Sequence, residues 1–228
     1  MPILRDWKLE ITVDEVLRGQ GADPAMIRER NPRLVEIAEQ ALSIGMPYIQ
    51  PVVAYRGSKI KSLKHERLSL SEGGSLSGKT VVQLLAPARQ VVLMLCTIGL
   101  DLESYASQLL VENPSLGLAL DGLGSAAAGA LASAACAYFG DQAASQGMQA
   151  TLPISPGMDG WPAELGQPQI FALVDPIDAG IQITSSGMMI PRKSISLVVG
   201  FSPEIEDAGR VCDYCSMRQT CRYQDTYV

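Results

Sequence analysis

Three cysteines near the end of the chain, Cys212, Cys215 and Cys221, follow the spacing C-x2-C-x5-C in a short segment whose neighbours Asp213, Tyr214, Arg218 and Gln219 are mostly polar. Burial of apolar surface does not account for thiols in such surroundings. Chain turns between three closely spaced thiolates let them converge on one zinc ion or iron–sulfur cluster. The tail holds no fourth ligand of its own. Cys96, Cys136, a group from another chain or an open iron position remain open for that place. Cys96 and Cys136 sit in apolar runs, where cysteine is more often a core residue. A second pattern is Gly73, Gly78, Lys79 and Thr80, which satisfies G-x-x-x-x-G-K-[ST], the phosphate-cradling loop. That loop needs a buried strand before it and a long helix after it. Here His65 to Glu72 are polar and charged, and Pro87 closes the following helix early. A glycine turn before a short helix is the favoured reading, with P-loop nucleotide binding the remote one. His65 is the single histidine. Multi-histidine metal sites are thereby excluded, and any Ser-His-Asp triad would hang on a residue in a charged segment.

The elements that must carry these residues are partly legible. Thr12 to Glu15 reads as a capping box opening a helix that stops near Gly19 or Gly21. Asn31 with Pro32 opens a second helix, whose apolar residues Leu34, Ile37, Ala38, Ala41 and Leu42 recur at helical spacing up to Gly45. Tyr48 to Tyr55 is β-rich, and Pro47 and Pro51 suggest an edge strand. Val91 to Thr97 is a continuous apolar run of strand length, expected to be buried on both faces. Ile181 to Thr184 and Ser194 to Gly200 predict two further strands. Mixed elements without regular β-α-β alternation point to α+β. Residues 1–204 read as one domain and 205–228 as an appended cysteine-rich tail.

With 228 residues, 47% of them hydrophobic, the chain can bury a sizeable core. A formal net charge of −6 and the lack of a basic block exclude nucleic acid as the expected partner. Gly122 to Gly140 is a run of 19 residues without a charge, near the ~20 that span a bilayer. It is built from Ala, Gly and Ser, with Asp121 and Asp141 at its ends, so a close-packed internal helix is expected and not a membrane segment. The start of the chain, with Arg5, Asp6, Lys8 and Glu10, does not read as a secretory leader. The expected compartment is the cytoplasm, where cysteines stay reduced.

Four blocks carry a family resemblance. They are Asp14-Glu15-Val16-Leu17-Arg18; Cys96-Thr97-Ile98-Gly99 with Glu103 after it; Leu120-Asp121-Gly122-Leu123-Gly124-Ser125-Ala126-Ala127; and a long last block. That last block comprises Ser155-Pro156-Gly157, Trp161-Pro162, Phe171-Ala172-Leu173, Gly180 to Ser186, Met188-Met189 and Pro191 to Ser196. Spanning roughly residues 14 to 200 in one order, they make the chain similar to the activation (reactivation) domain of vitamin B12-dependent methionine synthase, in a small stand-alone form with a cysteine-bearing tail. The resemblance implies an α+β domain with a twisted, mainly antiparallel sheet and flanking helices. It implies an accessory role in corrinoid-dependent methyl transfer, with S-adenosylmethionine as methyl donor for reductive reactivation of cobalamin. The chain has no D-x-H-x-x-G motif, so cobalamin would be carried by a partner, a methionine synthase or another corrinoid protein. The alternative from another class is a metal or iron–sulfur scaffold that kept the fold without transferase function.

The resemblance also implies a binding site at R-x-[AS]-P-G-Y and at a glutamate on the alanine-rich helix. Ser155, Pro156 and Gly157 match. Pro153 stands at the arginine position, Met158 at the tyrosine position and Gly129 at the glutamate position. Thr184-Ser185-Ser186 also departs from the family's T-E-S. Loss of a guanidinium fork and of a carboxylate removes two charge-matched contacts for the methionine end of the donor, and weak S-adenosylmethionine binding is the expectation.

Overall fold

The structure is a computed structural model that describes residues 1–206, 209–214 and 218–220. Its order begins with β1 (Ile3–Leu4), α1 (Val13–Gly19), α2 (Pro24–Arg30), α3 (Pro32–Gly45), β2 (Val52–Lys64), β3 (Arg67–Leu70), β4 (Ser75–Ser77) and α4 (Lys79–Leu85). There follow β5 (Gln90–Thr97), α5 (Asp101–Glu112), α6 (Pro114–Ala144), β6 (Gln149–Ala150), α7 (Ala163–Leu173), β7 (Gln182–Ile183), β8 (Met189–Ile190) and β9 (Ser194–Ser202). The fold is α+β. Among the described residues one sheet of seven strands runs β4-β3-β2-β5-β9-β6, with β1 also on β2, and its pairings are antiparallel. β7 and β8 form a separate two-stranded hairpin.

Local chemistry explains the helix starts. Thr12 and Glu15 form the full capping box of α1. Asp23 caps α2 by accepting from the N–H groups of Ala25 and Met26, with Pro24 at the first helical position. Asn113 accepts from Leu116 N–H and Pro114 opens α6, an arrangement in which proline's missing donor costs nothing.

Strand periodicity builds two layers. Along β5, Met94 and Cys96 face the cluster that includes Leu120, Leu123, Ala127 and Leu131 of α6. Val91, Leu93 and Leu95 face the other cluster, with Leu84 and Leu85 of α4, Trp161, and Ile170 of α7. Both faces of the central strand are covered, as its unbroken apolar run requires. α6 passes for a membrane helix by length and composition, with 56% of its most apolar window buried inside the protein. Its glycines explain its place. A Cβ on Gly122 would meet Val16 O at 2.7 Å, and one on Gly117 would meet Leu110 N at 2.6 Å. α1 and α5 therefore approach the backbone of α6 where side chains are lacking.

Two sequence expectations change. Tyr48–Tyr55 is not an edge strand: Pro47 lies in a short 3-10 turn and Pro51 precedes β2, which pairs with β1, β3 and β5. The prolines therefore never enter the hydrogen-bond ladder. The polar stretch after it is a hairpin, β2 to β3, turning at His65 and Glu66, both with positive φ (49° and 58°). Leu68 and Leu70 point inward while Arg67 and Ser69 do not, so a polar-looking segment is half of a sheet.

Candidate functional site

Ser155, Pro156, Gly157 and Met158 form one tight loop. It leaves the sheet at Ile154, which bridges Val198 of β9. Gly157 adopts φ +101°, a conformation that favours glycine. The loop closes on itself: Gly157 N–H donates to Trp161 O at 2.8 Å, Met158 N–H to Ser155 O at 3.2 Å, and Ser155 N–H to the Met158 thioether at 3.3 Å. Trp161 anchors the loop, wholly buried against Gly166 of α7 and Gly78 ahead of α4, where an added Cβ would approach the indole to 2.7 and 2.8 Å respectively. Its indole Nε1 is buried without a hydrogen-bond partner among the described residues.

This geometry gives Gly78 a packing reason unrelated to phosphate. The Thr80 hydroxyl donates to Asp159 O, and β4 before it has three residues while α4 after it has seven. The glycine-turn reading fits this geometry. His65 is exposed at the hairpin turn.

Gly129 lies on α6, in the layer covering the other face of the sheet from Met158 and Trp161. A Cβ on Gly129 would meet nothing within 4 Å. The residues singled out for a methyl donor are thus one self-bonded loop and one open helix position. Neither supplies a charge, and the loop's N–H groups at 155, 157 and 158 are already used.

The structure brings other parts of the four blocks together. Arg192 binds Glu103 through its backbone N–H (2.9 Å) and its guanidinium Nε (2.5 Å). Its neighbour Lys193 reaches Asp121 at 2.9 Å and the Ser125 hydroxyl at 2.9 Å on α6. Lys193 and Glu103 are largely covered, while their partners Asp121 and Arg192 face solvent, so each pair has one shielded end. The Glu103 carboxylate raises Arg192 above its usual value. Gly124 makes room for the Lys193 stem, since a Cβ there would meet it at 3.1 Å. Beside this network a cleft of about 320 Å³ is lined by Thr97, Gly99, Asp101, Gly180 and Pro191. Apart from Asp101, these residues fall within the four sequence blocks, where the charges bordering the small-residue helix are the available signal.

Cys212 is half-buried in a short 3-10 turn, Val211–Tyr214, while Cys215 and Cys221 lie outside the described residues. Among the described residues no three His, Cys, Asp or Glu groups converge as a metal site. Cys96 of β5 and Cys136 of α6 pack in the layer between that helix and the sheet, whereas Tyr214 of the tail borders clefts beside α4, one of them shared with Asp159 and Gly160. Burial raises the Cys136 thiol to about 11, and burial with Cys136 nearby pushes Cys96 further up.

The sequence matches no family model and no curated protein. Among solved structures it is similar to the MetH reactivation domain bound to AdoHcy, with a TM-score of 0.63, 13% identity, and coverage of 94% of this chain and 83% of that one. The fold is that of the MetH reactivation domain. At this identity the likeness concerns the fold, and the specific site residues stand on their own geometry.

Proposed function

We propose that this chain is an accessory protein of corrinoid-dependent methyl transfer, supporting the reductive reactivation of cobalamin held by a methionine synthase or another corrinoid protein. The observation that supports it is a fold shared with the MetH reactivation domain over 94% of the chain. The protein's part in such a system is positioning, while the cofactor carries the chemistry. The neighbour is bound to AdoHcy, and an adenosyl ligand suits the same reading. With Pro153 and Gly129 in place of charged groups, S-adenosylmethionine binding is weak here. Residues 1–204 form the docking body and 205–228 an appended tail, whose Cys212, Cys215 and Cys221 hold zinc or an iron–sulfur cluster. The setting is the cytoplasm. The experiment is to add the protein to a cobalamin-loaded corrinoid protein in the cob(II) state with a low-potential reductant and S-adenosylmethionine. Faster return of methylcobalamin by visible absorbance supports the reading; an unchanged rate and no complex overturn it.

A further inference from the structure

Large apolar side chains exposed singly on a protein surface need no explanation. Four of them, however, belong to segments that meet at one cleft. Leu100 is exposed and lines the cleft of about 320 Å³ together with Asp178, Gly180 and Pro191. Ile177, 78% exposed, comes just before Asp178, and the exposed Ile190 just before Pro191. Met188, 56% exposed, shares the outward side of the β7–β8 hairpin with Ile190, since alternation turns Met189 inward onto the layer of Trp161. β7 and β8 pair only with each other, so no further strand covers this face among the described residues.

The rim of this cleft is acidic. Asp101 and Asp178 line it, and Asp175 stands beside it, its carboxylate accepting from the Ile177 N–H at 3.1 Å. None of the three is in a salt bridge among the described residues. Asp101 accepts from the Gln50 amide at 2.7 Å, a neutral donor that leaves its charge uncompensated. Arg5 is the one cation among the residues lining the cleft, and its guanidinium donates to the main-chain carbonyl of Asp178 at 2.7 Å. The neighbouring Arg192 and Lys193 are already paired with Glu103 and Asp121. Three carboxylates against one guanidinium make the face negative, like the chain as a whole.

We propose that this face docks a partner protein that presents lysine or arginine between apolar side chains. Apolar side chains set within a polar rim are the anatomy of a protein contact, and the sign of the rim selects the occupant. A second copy of this chain would set acidic rims against each other across a two-fold axis. An anionic membrane surface and nucleic acid are repelled for the same reason. A basic partner gains on both counts. Its aliphatic stems lie along Leu100, Ile177 and Ile190, and its charged ends reach the carboxylates. The proposal holds whether or not the corrinoid reading does.

The test is an NMR titration of methyl-labelled protein with a short synthetic peptide alternating leucine and lysine, and separately with the same peptide carrying glutamate for lysine. Saturable shifts of the Leu100, Ile177, Met188 and Ile190 methyl groups are expected with the lysine peptide, weakening as salt is raised, and none with the glutamate peptide. Asp101→Asn combined with Asp178→Asn changes two exposed side chains and keeps an acceptor for Gln50, so it folds, and it raises the Kd of the lysine peptide by about three- to tenfold. No shifts at millimolar lysine peptide, equal binding of the two peptides, or an unchanged Kd in the double variant would each overturn the proposal. So would shifts centred on the exposed Leu110, Val111 and Leu118 at the α5–α6 corner, or methyl shifts that follow protein concentration without peptide, which would make the occupant a second copy.

Discussion

Two identical substitutions on α6 should act in opposite directions. In Gly129→Ala the new methyl meets nothing within 4 Å, and a helix-interior alanine is favoured over glycine by ~0.5–1 kcal/mol. In Gly122→Ala the same gain is available, yet the methyl would stand 2.7 Å from Val16 O and 2.5 Å from Gln20 Cγ. Ordinary contact begins near 3.4 Å, so α1 must withdraw from α6 by roughly 0.7 Å at Val16. The glutamine side chain can swing aside, but the α1 backbone moves only with its packing, in which Val16 and Leu17 are buried. Overpacking of this kind costs about 1–3 kcal/mol, which leaves Gly122→Ala destabilised by a net of about 0–2 kcal/mol. For a chain of this size each kcal/mol moves the Tm by ~2–4 °C. Thermal unfolding followed by circular dichroism should show Gly129→Ala rising by a few degrees and Gly122→Ala falling. Equal shifts in the two variants would refute the close approach of α1 to α6.

Ala127 is fully buried on α6, so Ala127→Leu should lower stability by about 1–3 kcal/mol in denaturant titrations. Lys193→Ala should cost about 1–2 kcal/mol through loss of the Asp121 and Ser125 bonds and of stem packing on Gly124. Burial raises both core thiols, so alkylation of folded protein at pH 8 should spare Cys96 and Cys136. Their folded values exceed the unfolded one, so the stability they contribute is complete below ~8.5 and is lost as pH rises toward and through the folded values; denaturant midpoints should decline from about pH 9 upward. Anaerobically purified protein should carry zinc or iron with sulfide, and Cys215→Ser should lose it by elemental analysis. Two lost charge-assisted contacts of ~1.5–3 kcal/mol each weaken S-adenosylmethionine by roughly two to four orders of magnitude. Calorimetry should therefore find little binding, and Pro153→Arg with Gly129→Glu should restore some; micromolar binding by the unmodified protein would show that other residues have taken over.

What the sequence made legible were features written in consecutive residues. The Thr12–Glu15 box, the Pro32 start, the Val91–Thr97 run and the small-residue helix all lie where local signals place them. α2 is short and has only Pro24 buried, so its one local signal is the Asp23-Pro24 cap and first-position proline. β3 was obscured because its buried residues are only Leu68 and Leu70 among polar neighbours. The site was harder. Glu103 and Arg192 are 89 positions apart, and no local pattern announces that the segment entering β9 brings Lys193 to Asp121. That Gly129 and Met158 fall in different layers depends on sheet register, which fixes the face of every residue. The family pattern correctly suggested the fold, while the residues that do not follow it could be judged only from where the structure sets them.

The most direct test of the central claim is the cob(II)alamin spectrum of a corrinoid protein from the same cell, titrated with this chain under reducing conditions. A saturable one-to-one change in its absorbance and electron paramagnetic resonance, followed by faster return of methylcobalamin, is the predicted result. A spectrum unmoved by excess protein, with no complex on gel filtration, would contradict it.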